Sequence, residues 1–143
     1  MTTPDGPRII VKDDRDSSIG RGCVLHGGHF RPEISIIFYT AAQTAPNGVT
    51  EVLFSEGWRP PPEVEDPGTR DLHPELRAID VSLNTIFPDP ATGSLDVDAL
   101  LRYRRKRGIE WADRIRKQLG PDYHVVVHGD GWNCHIHIEL DPR

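Results

Sequence analysis

Two histidines and a glutamate alternate close to the C-terminus, in His135-Ile136-His137-Ile138-Glu139. In an extended chain successive side chains point to opposite faces, so His135, His137 and Glu139 share one side and Ile136, Ile138 and Leu140 the other. The apolar trio can anchor the strand in a core and leave two imidazoles and a carboxylate together on the opposite face. Neutral imidazole is the commonest protein ligand for zinc, and a strand fixes its direction well. An edge strand with a merely solvated polar face would carry the same pattern, and on this run alone the two readings are level.

A second segment shifts the balance. In His73-Pro74-Glu75-Leu76-Arg77-Ala78-Ile79-Asp80 the chain passes from loop-like to strand-like composition. Asp80 then shares a face with Ala78 and Ser82, while Ile79, Val81 and Leu83 face the other way. Burying an aspartate among such neighbours is costly unless something positive meets it. A metal would serve, as would an arginine such as Arg59 or Arg77. A Zn2+ held by His73, Asp80 and one histidine of the C-terminal strand would have three protein ligands and one position for water, the open arrangement of catalytic zinc.

These residues resemble a family. His73-x-x-x-x-Ala78-x-Asp80, followed much later by His135-x-His137, is similar to the zinc peptidases of the D-Ala-D-Ala carboxypeptidase and Hedgehog-domain type, among them phage and prophage endopeptidases that cut bacterial cell-wall peptides. Ser55-Glu56-Gly57-Trp58-Arg59 resembles the family's Ser-Gly-aromatic-Arg turn at a strand end, and Leu119 to Val127 resembles the strand before the terminal His-x-His. The likeness covers roughly Val49 to Pro142. It implies a Hedgehog/DD-peptidase-like fold, with His73, Asp80 and His137 as zinc ligands and His135 beside the reacting carbonyl. Three positions depart from the pattern: Asp71 replaces a serine, Leu76 a glycine, and Cys134 the acidic general base. The metal triad therefore transfers better than the proton-transfer machinery.

Candidates for the missing base lie just upstream. If a hairpin closes around Gly129-Asp130-Gly131-Trp132-Asn133, His128 stands opposite His135 and could orient it or move protons; an ordinary strand-end histidine is the equal alternative. Asp130 is the rival. Arg59 suits a substrate carboxylate, since a guanidinium matches that geometry, or it pairs with Asp80 or Asp71. The chemistry implied is amide hydrolysis: zinc lowers the pKa of bound water from ~15.7 toward ~7 and polarises the scissile carbonyl. His26 and His29, around Gly-Gly, are a second histidine pair of the kind that is usually incidental.

The elements that must position these groups predict an α+β domain, a small mostly antiparallel sheet with one long helix, spanning residues 1–143. Residues 1–7 read as a floppy leader, 8–48 as N-terminal strands and loops, and 49–142 as the peptidase-like core. Strands are expected over 8–12, 33–40, 50–55, 77–83, 123–128 and 134–140, with Pro46-Asn47-Gly48 turning between the second and third. Four prolines make 59–70 an exposed loop, and a second Pro/Gly loop runs from Pro88 to Gly93. The helix runs from Asp96 to Leu119, with Ser94 as N-cap and Gly120-Pro121 as stop. Leu100, Leu101, Ile109, Ala112, Ile115 and Leu119 form its apolar stripe. Arg102, Arg104, Arg105, Lys106 and Arg107 read as a solvated basic face, with a kink expected near Gly108.

With 143 residues and 36% hydrophobic content, the chain suffices for one core. A formal charge of −5 points away from nucleic acid and anionic membranes. No apolar run is long enough to span a bilayer, and the N-terminus lacks the regions of a signal peptide. The expectation is synthesis in a host cytoplasm and action on the cell wall after release or within a virion, with peptidoglycan peptide as substrate and other phage tail or lysis proteins as partners. Cys23 and Cys134 are expected as free buried thiols. Two alternatives stand beside the zinc peptidase. One is a phage tail or virion protein that keeps the fold without turnover. The other is a single-strand DNA nuclease of the His-hydrophobic-His kind, with Tyr103 as nucleophile beside Arg104-Arg105-Lys106.

Overall fold

The protein is seen here as a computed structural model that describes residues 6–11, 32–56 and 78–140. The elements are β1 (Arg8–Val11), α1 (Pro32–Thr44), β2 (Glu51–Glu56), β3 (Ala78–Ser82), α2 (Val97–Leu119), β4 (Tyr123–His128) and β5 (His135–Leu140), with 3-10 turns at Pro90–Thr92 and Gly131–Asn133. The strands form one sheet in the order β1-β2-β3-β5-β4. Only β1 and β2 run parallel; the other pairs are antiparallel. The fold is thus α+β around a mostly antiparallel sheet, but with two helices among the described residues.

The extra helix corrects the strand expected over 33–40. Glu33 to Thr40 is a largely apolar segment with three isoleucines, a composition that suits a strand and a helix alike. The burial pattern decides between them: Ile37, Thr40 and Ala41 are inside, whereas Ile36 and Tyr39 are exposed. That spacing is helical, and Pro32 occupies the first helical position, where its missing N–H costs nothing. The Pro46-Asn47-Gly48 turn is present, closed by Val49 N–H to the Pro46 carbonyl at 3.1 Å, but it leads from α1 into β2.

Side chains of α2 close the C-terminal end of α1. Trp111 Nε1–H donates to the Ala41 carbonyl (3.1 Å), which also accepts from the Thr44 hydroxyl (3.4 Å), and Arg114 Nε–H donates to the Thr44 carbonyl (2.9 Å), so both acceptors of the last turn are met.

The long helix falls where expected, with three corrections. Its N-cap is Asp96, whose carboxylate accepts from Ala99 N–H at 2.7 Å, rather than Ser94. Ile109 is exposed, and the inward stripe is Arg104, Gly108, Trp111, Ala112 and Ile115. The helix runs unbroken through Gly108. That glycine permits close approach: a Cβ there would lie 2.5 Å from Leu83 Cδ1. Gly120, at φ 88°, ends the helix through its N–H to the Arg116 carbonyl, 3.0 Å.

Both helices contribute to a single core with Val52, Phe54, Ile79, Val81, Leu83, Val125, Ile136 and Ile138 of the sheet and the residue after β3. The register of β5 against its neighbours then puts its histidines on the face away from the helices. Among the described residues no helix is long and apolar enough to cross a membrane.

Candidate functional site

The antiparallel register between β3 and β5 aligns Asp80 with His137 and Ser82 with His135, and that between β4 and β5 aligns His128 with His135 and His124 with Glu139. Since paired residues share a face, Asp80, His124, His128, His135, His137 and Glu139 fall on one side of the three strands. Ile79, Val81, Ile136 and Ile138, all fully buried, hold the other side in the core.

Asp80 is the most deeply placed member, 3% exposed. His137 Nδ1 lies 2.8 Å from Asp80 Oδ1, and because a carboxylate only accepts, the ring nitrogen donates. On the other oxygen, His135 Nε2 stands 3.7 Å from Asp80 Oδ2. The second nitrogen of His135, Nδ1, donates to the Asn133 carbonyl at 2.7 Å. The remaining nitrogen of His137, Nε2, is 3.7 Å from Glu139 Oε1.

These contacts have an electrostatic consequence. Each imidazole commits its Nδ1 proton to an oxygen, so in the neutral tautomer Nε2 carries a lone pair. In both rings that lone pair faces a carboxylate oxygen, Asp80 for His135 and Glu139 for His137. Positive charge between two such electron-rich atoms is stabilising. It can come from a second ring proton, from an arginine such as Arg59 or Arg77, both outside the described residues, or from a divalent ion.

The spacing bears on the last option. Two donor atoms on a tetrahedral zinc at ~2.0–2.1 Å each stand roughly 3.3 Å apart. The Asp80–His137 pair at 2.8 Å and the Asp80–His135 pair at 3.7 Å bracket that value, so either reaches it with a shift of a few tenths of an ångström, the His137 pair only once its ring proton has moved from Nδ1 to Nε2. The contacts form a chain, Glu139 to His137 to Asp80 to His135, rather than a ring of donors around a point. Accordingly, no group of three or more His, Cys, Asp or Glu among the described residues converges as a metal site. His73, the third ligand expected from the sequence, lies outside the described residues, as do Arg59, Cys23, His26 and His29.

His128 joins the row from β4, its ring centroid 5.5 Å from that of His137 and 6.0 Å from that of His135. Its pKa is lowered below the ordinary 6.5, first by desolvation and then by His137 and His135, with Asp80 and Glu139 pulling the other way. A ring kept neutral near neutral pH can accept a proton. Asp130, by contrast, borders a depression with Asp98, Arg102 and Arg105 of α2. Cys134 is buried and free, with Arg105 Nη1 at 3.6 Å from its sulfur.

Tyr103 packs against the core, with the Arg107 guanidinium 5.3 Å from its ring centre. It belongs to the helix layer, while His135 and His137 face the opposite side of the sheet. The basic stretch is not uniformly solvated either, because Arg104 is only 5% exposed. Two participants escaped the sequence reading, the Asn133 carbonyl that orients His135 and the Ser82–His135 pairing; both depend on register, which composition does not encode. Compared with known proteins, the chain matches no family model, no curated protein and no solved structure.

Proposed function

We propose that the imidazole–carboxylate row is the centre of a zinc-dependent peptidase acting on bacterial cell-wall peptides, with His73, Asp80 and His137 as the metal ligands. One observation carries this reading: a buried aspartate shared by two imidazoles, one of which turns an unprotonated nitrogen toward it. The likeness of His73-x-x-x-x-Ala78-x-Asp80 and His135-x-His137 to the D-Ala-D-Ala carboxypeptidase and Hedgehog-type peptidases supports it. So does the Asp80–His137 spacing, which suits a shared ion once the ring proton of His137 moves from Nδ1 to Nε2.

When bound, zinc supplies a polarised carbonyl and a water acidic enough to give hydroxide near neutral pH. The chain's own residues do the rest. The Asn133 carbonyl holds His135 through its Nδ1–H, so that Nε2, when it too carries a proton, can donate to the reacting group; a donor that stabilises a developing oxyanion contributes ~3 kcal/mol. His128, neutral and beside both rings, takes the proton-transfer role that a glutamate at position 134 would otherwise fill. Arg59 receives a substrate carboxylate. The proposed setting is a phage or prophage lysis or tail function, with delivery to the wall on release.

The nuclease alternative draws no support from the geometry, because Tyr103 belongs to the helix layer. The test is zinc content together with digestion of purified sacculi. The wild-type chain should bind one zinc and release peptide fragments; His137→Ala should lose both, and His135→Ala should keep zinc while losing hydrolysis. Undiminished digestion by zinc-free His137→Ala would end the proposal. Stoichiometric zinc without digestion would favour a virion protein that retains the fold alone.

A further inference from the structure

We propose that Arg104, walled by Phe87 and Trp132, is a carboxylate-binding subsite on the helix side of the sheet, at the strand ends where His128 and His135 lie, and that it receives an acidic group of the substrate. That the ligand is substrate rests on the hydrolase reading; the anion site itself does not.

Arg104 lies on α2 and is 5% exposed. Its Nε–H donates to the Ile86 carbonyl at 2.8 Å, while its Nη1 is buried with no hydrogen-bond partner. Among the described residues no carboxylate pairs with it. Burial pushes its pKa down, and no neighbouring acid raises it. A buried guanidinium without a counter-charge is costly, so such groups usually sit against an anion.

What surrounds it instead are two aromatic rings, with Cζ 5.1 Å from the centre of Phe87 and 5.5 Å from that of Trp132. Cation–π attraction offsets part of the cost. Yet these rings are 67% and 54% exposed, large apolar groups left in water rather than taken into the core. They can turn aside without disturbing the packed interior. With Nε occupied, the edge left to a ligand is the Nη1–Nη2 fork, whose parallel N–H groups match the two oxygens of a planar carboxylate.

The fold places this fork at the end of the sheet where His128 and His135 lie. His135 pairs with Ser82, whose hydroxyl accepts from Asn84 N–H at 3.1 Å. Asn84 Nδ2–H in turn donates to the Trp132 carbonyl at 3.3 Å. Asn84 therefore ties the segment carrying Phe87 to the loop carrying Trp132, at the end of the sheet where β5 begins with His135. Arg59 suits one substrate carboxylate; Arg104 would take a second, as a peptide rich in carboxylates requires.

The experiment is an NMR titration of the full-length chain with N-acetylalanine, N-acetylalaninamide and inorganic phosphate, following the Arg104 Nε–H and Trp132 indole N–H signals. The free acid should shift both saturably. The amide should shift neither, and phosphate should bind at least several-fold more weakly. The response should persist in His137→Ala, which separates this subsite from the hydrolytic proposal. Arg104→Lys, which keeps the charge and loses the fork, should weaken the Trp132 response about tenfold. Equal shifts by acid and amide, preference for phosphate, or no saturation in the wild-type chain would overturn the proposal even if the variant does not fold.

Discussion

Asp80 is the residue on which the site's chemistry turns. It accepts from His137 at 2.8 Å and faces His135 at 3.7 Å while being 3% exposed. Asp80→Asn keeps the volume but removes the charge, and it leaves an amide N–H able to point at an imidazole nitrogen. Zinc affinity should drop by at least 100-fold, beyond the 10–100-fold typical for losing a group that only supports a ligand. Isothermal titration with zinc measures it, and an unchanged affinity would remove Asp80 from the ligand set. His128 offers a pH test in metal-free protein. Its folded pKa lies below 6.5, so the fold prefers the neutral ring and the unfolded chain binds its proton first. Its contribution to stability is whole above pH 6.5 and is lost as pH falls from there through the lowered folded value. His128→Gln should flatten this part of the stability–pH curve, measured by urea unfolding between pH 5 and 7; a curve that keeps its slope would contradict the assignment.

At the scale of elements, the question is what fixes the strands and loops that present these side chains. Gly108 lets α2 settle on Leu83, the residue that follows β3, and a Cβ there would lie 2.5, 2.8 and 3.2 Å from Leu83 Cδ1, Cδ2 and Cγ. Leu83 is itself 1% exposed, so it has little room to yield. Gly108→Ala should therefore destabilise by about 1–3 kcal/mol through overpacking, despite alanine's better helix propensity. Adding Leu83→Ala should recover part of that overpacking cost relative to Leu83→Ala alone, in denaturant unfolding. Asp96→Ala should cost about 1 kcal/mol as a lost N-cap, whereas Ser94→Ala should be near neutral; the reverse order would restore Ser94 as the cap.

These elements also show what the sequence disclosed. Strict alternation in His135 to Leu140 and around Asp80 revealed which side chains share a face, because a strand's period is fixed by its backbone. Pairing Asp80 with His137 needed the register, a property of the assembled sheet. The run from Glu33 to Thr40 misled because its isoleucines and aromatic residues favour a strand by composition, while only one face of it is buried at helical spacing; Pro32 and the following Ala41-Ala42-Gln43 were the signals pointing to helix. Arg104 was hidden within a basic stretch whose other members behave as a solvated face, and only the aromatic residues brought in from two loops set it apart.

At the scale of the whole molecule, the sheet brings together residues 57 positions apart, Asp80 and His137, with the core-facing residues of the same strands holding them in place. A metal bound there binds the folded state alone, so zinc at 100 times its dissociation constant should raise stability by about 2.7 kcal/mol. A chelator should remove that increment in thermal unfolding, and His137→Ala should not respond to either reagent. The most direct measurement is anomalous diffraction at the zinc edge from crystals of the full-length chain grown without chelator. The account predicts one strong peak within coordination distance of Asp80 and His137, with His73 as the third protein ligand and a solvent molecule in the fourth position. A peak elsewhere, or no peak at Asp80 from crystals grown in excess zinc, would contradict it.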